Sequence, residues 1–241
     1  MTALADLTSP AAARRSGAVL VVPLGATEQH GPHLPLSTDT DVATALAGRV
    51  ARERDDVLVA PALPYGSSGE HAGFAGTLSI GQTALELLVV ELVRSATASF
   101  ERVLLLSAHG GNAEALNRAV ALLRTEGRDV RAWSPRWRGD AHAGRTETSV
   151  QLTLDPRRVG AERPVGAPAA LAELLPELRA GGVAAVSPNG VLGDATGASA
   201  QEGEGLLAAA IHELGEVLEA WARRAAARAT TAGQAAAEAP R

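Results

Sequence analysis

The chain has 241 residues, 46% of them hydrophobic, with a formal net charge of −5, which allows one α/β domain with a sizeable core and leaves no basic footprint for nucleic acid. It contains no cysteine and no lysine, all 22 basic residues being arginine; thiolate ligands, disulfides, Schiff-base lysines and a phosphate-loop lysine are thereby excluded. Any metal must be held by histidine and carboxylate.

Between Met1 and Ser16 the alanine stretch precedes Arg14 and Arg15, the reverse of a signal peptide, and no uncharged apolar run reaches 18 residues. A cytoplasmic protein without a membrane span is expected. Apolar runs at 18–24, 57–62, 102–107 and 129–133 read as strands, and helical patterns at about 40–53, 82–99 and 112–126 lie between them. This alternation predicts a layered α/β/α fold with a mostly parallel central sheet. Asp39 or Thr40 is the expected cap of the first helix and Asn112 of the third. Residues 64–77 form a long glycine-rich loop, the kind more often functional than idle. Glu147 to Leu154 reads as a short helix stopped by Asp155-Pro156. The stretch 166–178 is rich in alanine and leucine but carries two prolines, and 201–227 reads as a terminal helix. One domain over 1–228 is expected, followed by a disordered Ala/Thr/Gly-rich tail at 229–241.

Chemistry-bearing residues collect where strands end. Glu28, His30 and Asp39 follow the first strand, His109-Gly110-Gly111-Asn112 follows the third, and His142-Ala143-Gly144 with Glu147 follows the fourth. Open α/β sheets bind ligands at the carboxyl ends of their strands. Oxygen and imidazole donors converging there make a divalent-metal site. Each residue also has a plain structural reading: Glu28 capping a turn, His30 or His109 satisfying backbone groups, Glu147 favouring a helix N-terminus. Five of the six histidines nevertheless lie in glycine-flanked turns. His212, inside the terminal helix, and His33, between prolines, read as structural. Glu70 and His71, in the glycine-rich loop, could face the same cleft.

The run Gly25 to Leu36 with Asp39, then His109 to Asn112, then His142 to Gly144 with Glu147-Thr148-Ser149, and finally Gly190 to Asp194 with Ala198 to Ala200, resembles the creatininase family of metal-dependent amide hydrolases over about residues 18–215. Within it, Leu63 to Phe74 most resembles the mycofactocin-system branch, which acts on a modified precursor peptide. The resemblance implies two divalent ions, Fe²⁺ or Zn²⁺ with Mn²⁺ as a third option. Glu28, Asp39 and His109 would hold one ion; His30 and Asp39 would serve the other, with Asp39 bridging. Creatininase has a glutamate where this chain has Gly111; Glu147 is the expected replacement, as ligand or proton carrier, and His142 the other candidate acid–base group.

The implied reaction is hydrolysis after a glycine near the precursor's C-terminus, releasing a cyclised Val-Tyr-derived aminopyrrolidinone. Tyr65, Phe74, Trp133 and Trp137 are candidates to receive its aromatic group. The alternatives are a formamide or cyclic-amide hydrolase, with Arg136, Arg138 and Arg145 available to clamp a phosphate, and a non-catalytic metal-binding scaffold. A homo-oligomer is expected, with the terminal helix either an interface element or plain core.

Overall fold

In the computed structural model, which describes residues 3–137 and 139–237, the chain runs α1 (Ser9–Ala13), β1 (Val19–Leu24), α2 (Thr38–Glu53), β2 (Val57–Val59), α3 (Gly81–Ala96), β3 (Arg102–Ser107), α4 (Ala113–Thr125), β4 (Asp129–Trp133), α5 (Arg145–Leu154), α6 (Leu171–Val186) and α7 (Ala200–Ala237). The four strands form one parallel sheet in the order β2-β1-β3-β4. A sheet covered on both faces needs strands that are apolar on both faces, and every residue of Val19-Leu20-Val21-Val22-Pro23-Leu24 is buried.

Alternation along the strands divides the core in two. Val19, Val21, Leu104 and Leu106 face α2, α5 and α7, joined by Leu46, Leu207, Leu214 and Trp221. Leu20, Val22, Leu105 and Val130 face α3 and α4, joined by Leu85, Val89, Leu116 and Leu123. The inner face of α7 is therefore core. The helix is longer than the pattern at 201–227 predicts, because alanine, the best helix former, continues past Thr230; residues 238–241 of the expected tail lie outside the described residues.

The chain leaves β1 in one direction for β2 and later returns on its other side for β3. The carboxyl ends of β1 and β3 thus form the switch point of the sheet, where successive connections diverge and leave a crevice. Two expected caps take other work. Ser37 occupies the cap position of α2, and Asp39 sits in its first turn. Asn112 does precede α4 without bonding to it: its amide donates to Gly25 O (3.0 Å) and accepts from Ser67 N (2.9 Å), tying three loops together over the crevice.

Candidate metal centre

The turn after β1 supplies Glu28 and His30, held by a hydrogen bond from Glu28 N to Leu36 O (3.0 Å). The first turn of α2 brings Asp39 beneath them, and Thr40 Oγ1 donates to Ala26 O (3.1 Å). Close approach here depends on Gly25, because a side chain at that position would collide with Thr40. His109 enters from the end of β3. His142 and Glu147 come from the connection into α5, where Ala143 N donates to Glu147 Oε2 (2.6 Å). Glu28, His30, Asp39, His109 and His142 are all buried.

These residues form two groups sharing one carboxylate. Asp39 Oδ2 lies 3.3 Å from His109 Nδ1, and Glu28 Oε2 lies 3.3 Å from His109 Nε2. On the other side, Asp39 Oδ1 lies 3.4 Å from His30 Nε2, which is 3.8 Å from Glu147 Oε2. Glu28–Asp39–His109 and His30–Asp39–Glu147 each bring three donor atoms close enough to share an ion, as do Glu28, His30 and His142. Glu28 Oε1 and Oε2, His30 Nε2 and Asp39 Oδ2 are buried without a hydrogen-bond partner. Unpaired buried polar atoms cost about 1–3 kcal/mol each. Four converging on one point suit a bound cation, and a donor set of imidazole and carboxylate fits a divalent one.

Without an ion, the electrostatics are those of a compressed charge cluster. Burial alone would lower His30, but Asp39, Glu147 and Glu28 outweigh it and push the imidazole up to about 10. The same contest, with Glu28 and Asp39 as partners, raises His109 to about 10. Burial raises Glu147 to about 7, helped by Asp39 and Glu28 against His30, and burial likewise raises Asp39. Glu28 is held well below the carboxylate range because His109, His30 and His71 overcome its burial. His142 and His71 are lowered, chiefly by burial and then by neighbouring histidines, His71 to about 4.

Two participants escaped sequence reading in different degrees. Gln29, between two candidate ligands, is buried. Its Nε2 lies 2.9 Å from His71 Nδ1 and 3.0 Å from Gly190 O. The same amide nitrogen is 3.1 Å from His142 Nε2, but the backbone carbonyl of Gln29 can only accept, so His142 Nε2 is the donor to Gln29 O at 2.9 Å, and His142 Nδ1 is left as an acceptor, 3.8 Å from Glu28 Oε1. His71, in the glycine-rich loop, does face the cleft, its Nε2 3.4 Å from Glu28 Oε1. His33 is structural, bonded through Nε2 to Thr148 Oγ1 (2.8 Å), and His212 is exposed on α7.

The centre opens into a cavity of about 640 Å³ whose opposite wall is α6: Leu171, Leu175, Leu178, Arg179 and Val183. None of the four aromatic candidates lines it. Trp133 is in the core, Tyr65 is exposed, and Trp137 lines a neighbouring cavity of about 790 Å³. Leucines, instead of aromatic rings, face the reacting groups. Nor do the arginines considered as a phosphate clamp reach the centre: Arg136 faces Glu213 (3.6 Å) and Arg145 pairs with Glu202 (2.7 Å), while Arg138 lies outside the described residues.

Known proteins resemble this chain over most of its length. Residues 5–218 match the creatininase family model, described as creatinine amidohydrolase. The chain is 52% identical over 211 residues to the mycofactocin precursor peptide peptidase of Mycolicibacterium smegmatis, covering 84% of this chain and 85% of that protein. It is 51% identical over 214 residues to the protein of the same name from Mycobacterium tuberculosis, with the same coverage. Among solved structures, a crystal structure of creatinine amidohydrolase superposes with a TM-score of 0.76 at 28% identity, over 90% of this chain and 96% of that one.

Proposed function

From its membership of the creatininase family, we propose that the chain is a metal-dependent peptidase that hydrolyses the modified mycofactocin precursor peptide after a C-terminal glycine, releasing the cyclised Val-Tyr-derived aminopyrrolidinone. The observation that carries the chemistry is the pair of donor groups joined by Asp39 at the switch point of the sheet. The substrate assignment rests on the two mycobacterial relatives at 51–52% identity, and the leucine face of α6 supports it, since it offers an apolar bed to an alkyl- and aryl-bearing leaving group.

In this reading Glu28, Asp39 and His109 would hold one divalent ion, and His30, Asp39 and Glu147 the other, the oxygen and imidazole donors suiting Fe²⁺, Zn²⁺ or Mn²⁺. Bound there, such ions supply Lewis acidity that acidifies water and polarises the scissile carbonyl. The chain's own residues do the rest. His30 donates through Nδ1 to Glu28 O (3.1 Å), which turns its Nε2 lone pair toward Asp39 and Glu147. Gln29 keeps the proton of His142 on Nε2, so that Nδ1 can take a proton from water and return it to the leaving nitrogen; such relay typically contributes about 10²–10⁴-fold. The α6 wall excludes water from the leaving group. The protein acts in the cytoplasm as a homo-oligomer; among the described residues, no helix is long and apolar enough to cross a membrane.

Anaerobically purified protein, reloaded with Fe²⁺ or Zn²⁺, should release the aminopyrrolidinone from modified precursor, read by mass spectrometry. Absence of product with every ion, alongside turnover of a formamide or cyclic amide, would replace the peptidase with a small-amide hydrolase.

A further inference from the structure

The wall that α6 builds over the cavity carries one fixed positive charge. Leu171, Leu175, Leu178, Arg179, Gly182 and Val183 recur at helical spacing and line the cavity opposite the metal centre, so they share one face of the helix. The two acidic residues of α6, Glu173 and Glu177, fall on the other face, exposed and outside the cavity lining. Arg179 is exposed at the rim, and among the described residues no other arginine lines this cavity.

Helices α3 and α4 give their exposed arginines a partner. Arg94 meets Glu91 at 2.6 Å and Arg118 meets Glu114 at 2.6 Å, three and four residues away, as helix geometry allows. At those offsets from Arg179 stand Leu175, Pro176, Gly182 and Val183, whose side chains can accept nothing from a guanidinium. Glu70 also lines the cavity, and its loop meets α6 at the kink, where a Cβ on Gly182 (φ 70°) would fall 2.7 Å from Glu70 O. Its carboxylate nevertheless lies beside His109, with Oε1 3.8 Å from Nε2, and not beside the arginine. Among the described residues the Arg179 guanidinium has neither an ion pair nor a hydrogen bond. On the outer face of α6 such a charge would only be solvated; on the cavity face it confronts whatever the cavity holds.

We propose that Arg179 is a specificity-determining residue that binds a carboxylate of the peptide substrate. A planar guanidinium pairs with a carboxylate through two parallel hydrogen bonds, a match that no neutral peptide group offers. This role rests on the peptidase reading above and deepens it. The leaving aminopyrrolidinone is a lactam and brings no carboxylate, so the acid belongs to a residue upstream of the scissile glycine. The leucines of α6 then bed the leaving group while Arg179 fixes the acyl side, and together they set the register of the peptide over the metal centre.

Steady-state cleavage of the modified precursor by the metal-loaded full chain tests this for wild type, Arg179→Gln and Arg179→Lys. Arg179→Gln should raise KM by about 10-fold with kcat within about twofold, since a contact to a charged group is lost and no reacting group is touched. Arg179→Lys, which keeps the charge without the fork, should recover part of that loss. Precursors in which each acidic residue upstream of the glycine is replaced in turn by its amide complete the experiment. One of them should raise the wild-type KM by the same factor and be cleaved equally well by wild type and Arg179→Gln. The ion-free thermal midpoint should not move, because the guanidinium has no partner to lose. A KM of Arg179→Gln within about twofold of wild type would overturn the proposal, as would amide effects that persist at full size in the variant for every acid. Failure of the peptidase reading looks different: wild type itself would leave the precursor intact, and this role would fall with it.

Discussion

Asp39→Asn is the most demanding single substitution, because one side chain serves both donor groups. Asp39 places Oδ2 3.3 Å from His109 Nδ1 and Oδ1 3.4 Å from His30 Nε2. The amide keeps the size and loses the charge, and its nitrogen cannot act as a donor to a cation. Taking the strength of a hydrogen bond to a charged group, about 1.5–3 kcal/mol, as the floor for each of the two contacts this carboxylate would make to the ions gives about 3–6 kcal/mol. At about 1.4 kcal/mol per decade, that is about 10²–10⁴-fold in ion retention. The ion-free fold should respond in the opposite sense. Burial raises the Asp39 carboxyl, so its charged form is a cost to folding at pH values above the ordinary carboxylate pKa, and the neutral amide removes that cost. Metal content after dialysis and chelator challenge should therefore collapse together with precursor cleavage, while the ion-free unfolding midpoint holds or rises. Two ions per chain and cleavage within about tenfold of wild type in Asp39→Asn would refute the sharing of this carboxylate.

Ion binding should depend steeply on pH: with His30 and His109 both near 10 in the ion-free centre, an ion entering at pH 7 must displace protons, so affinity rises with pH across the neutral range. Calorimetry in buffers of different ionisation enthalpy should register that proton release; buffer-independent heats would contradict it. Leu175→Glu, on the cavity face of α6 and 36% exposed, should raise KM for the modified precursor by about 10-fold or more with the fold unchanged, and an unaltered KM would remove α6 from substrate recognition. Gln29→Ala removes the amide beside His71 Nδ1 and His142 Nε2 but keeps the backbone carbonyl that accepts from His142, so kcat should fall about 10–100-fold with metal content retained, whereas a change confined to KM would show that the Gln29 side chain does not position these rings.

Much of this was legible in the chain because local patterns carried it. Strand runs at 18–24, 102–107 and 129–133 match β1, β3 and β4 closely, as residues buried on both faces leave little freedom in composition. His and carboxylate residues at strand ends converge because the topology of a parallel sheet gathers those ends at one edge. What local pattern cannot carry is the meeting of remote segments. The cavity wall of α6 was obscured by Pro176 and by the kink at Gly182. Glutamine is common and Gln29 has no signature, so its bonds to His71 and Gly190 emerge only after folding. The aromatic residues misled for a simple reason: rarity in the sequence drew attention to them, but Trp133 was spent on the core. Asn112 likewise stands where a cap belongs and bonds instead to Gly25 and Ser67.

The most direct measurement is an anomalous-scattering map from crystals of protein loaded anaerobically with Fe²⁺ or Zn²⁺. The account predicts two peaks on either side of the Asp39 carboxylate, one reached by Glu28 and His109, the other by His30 and Glu147. A fully loaded crystal with no peak at Asp39, or with a lone peak that Asp39 does not contact, would contradict it.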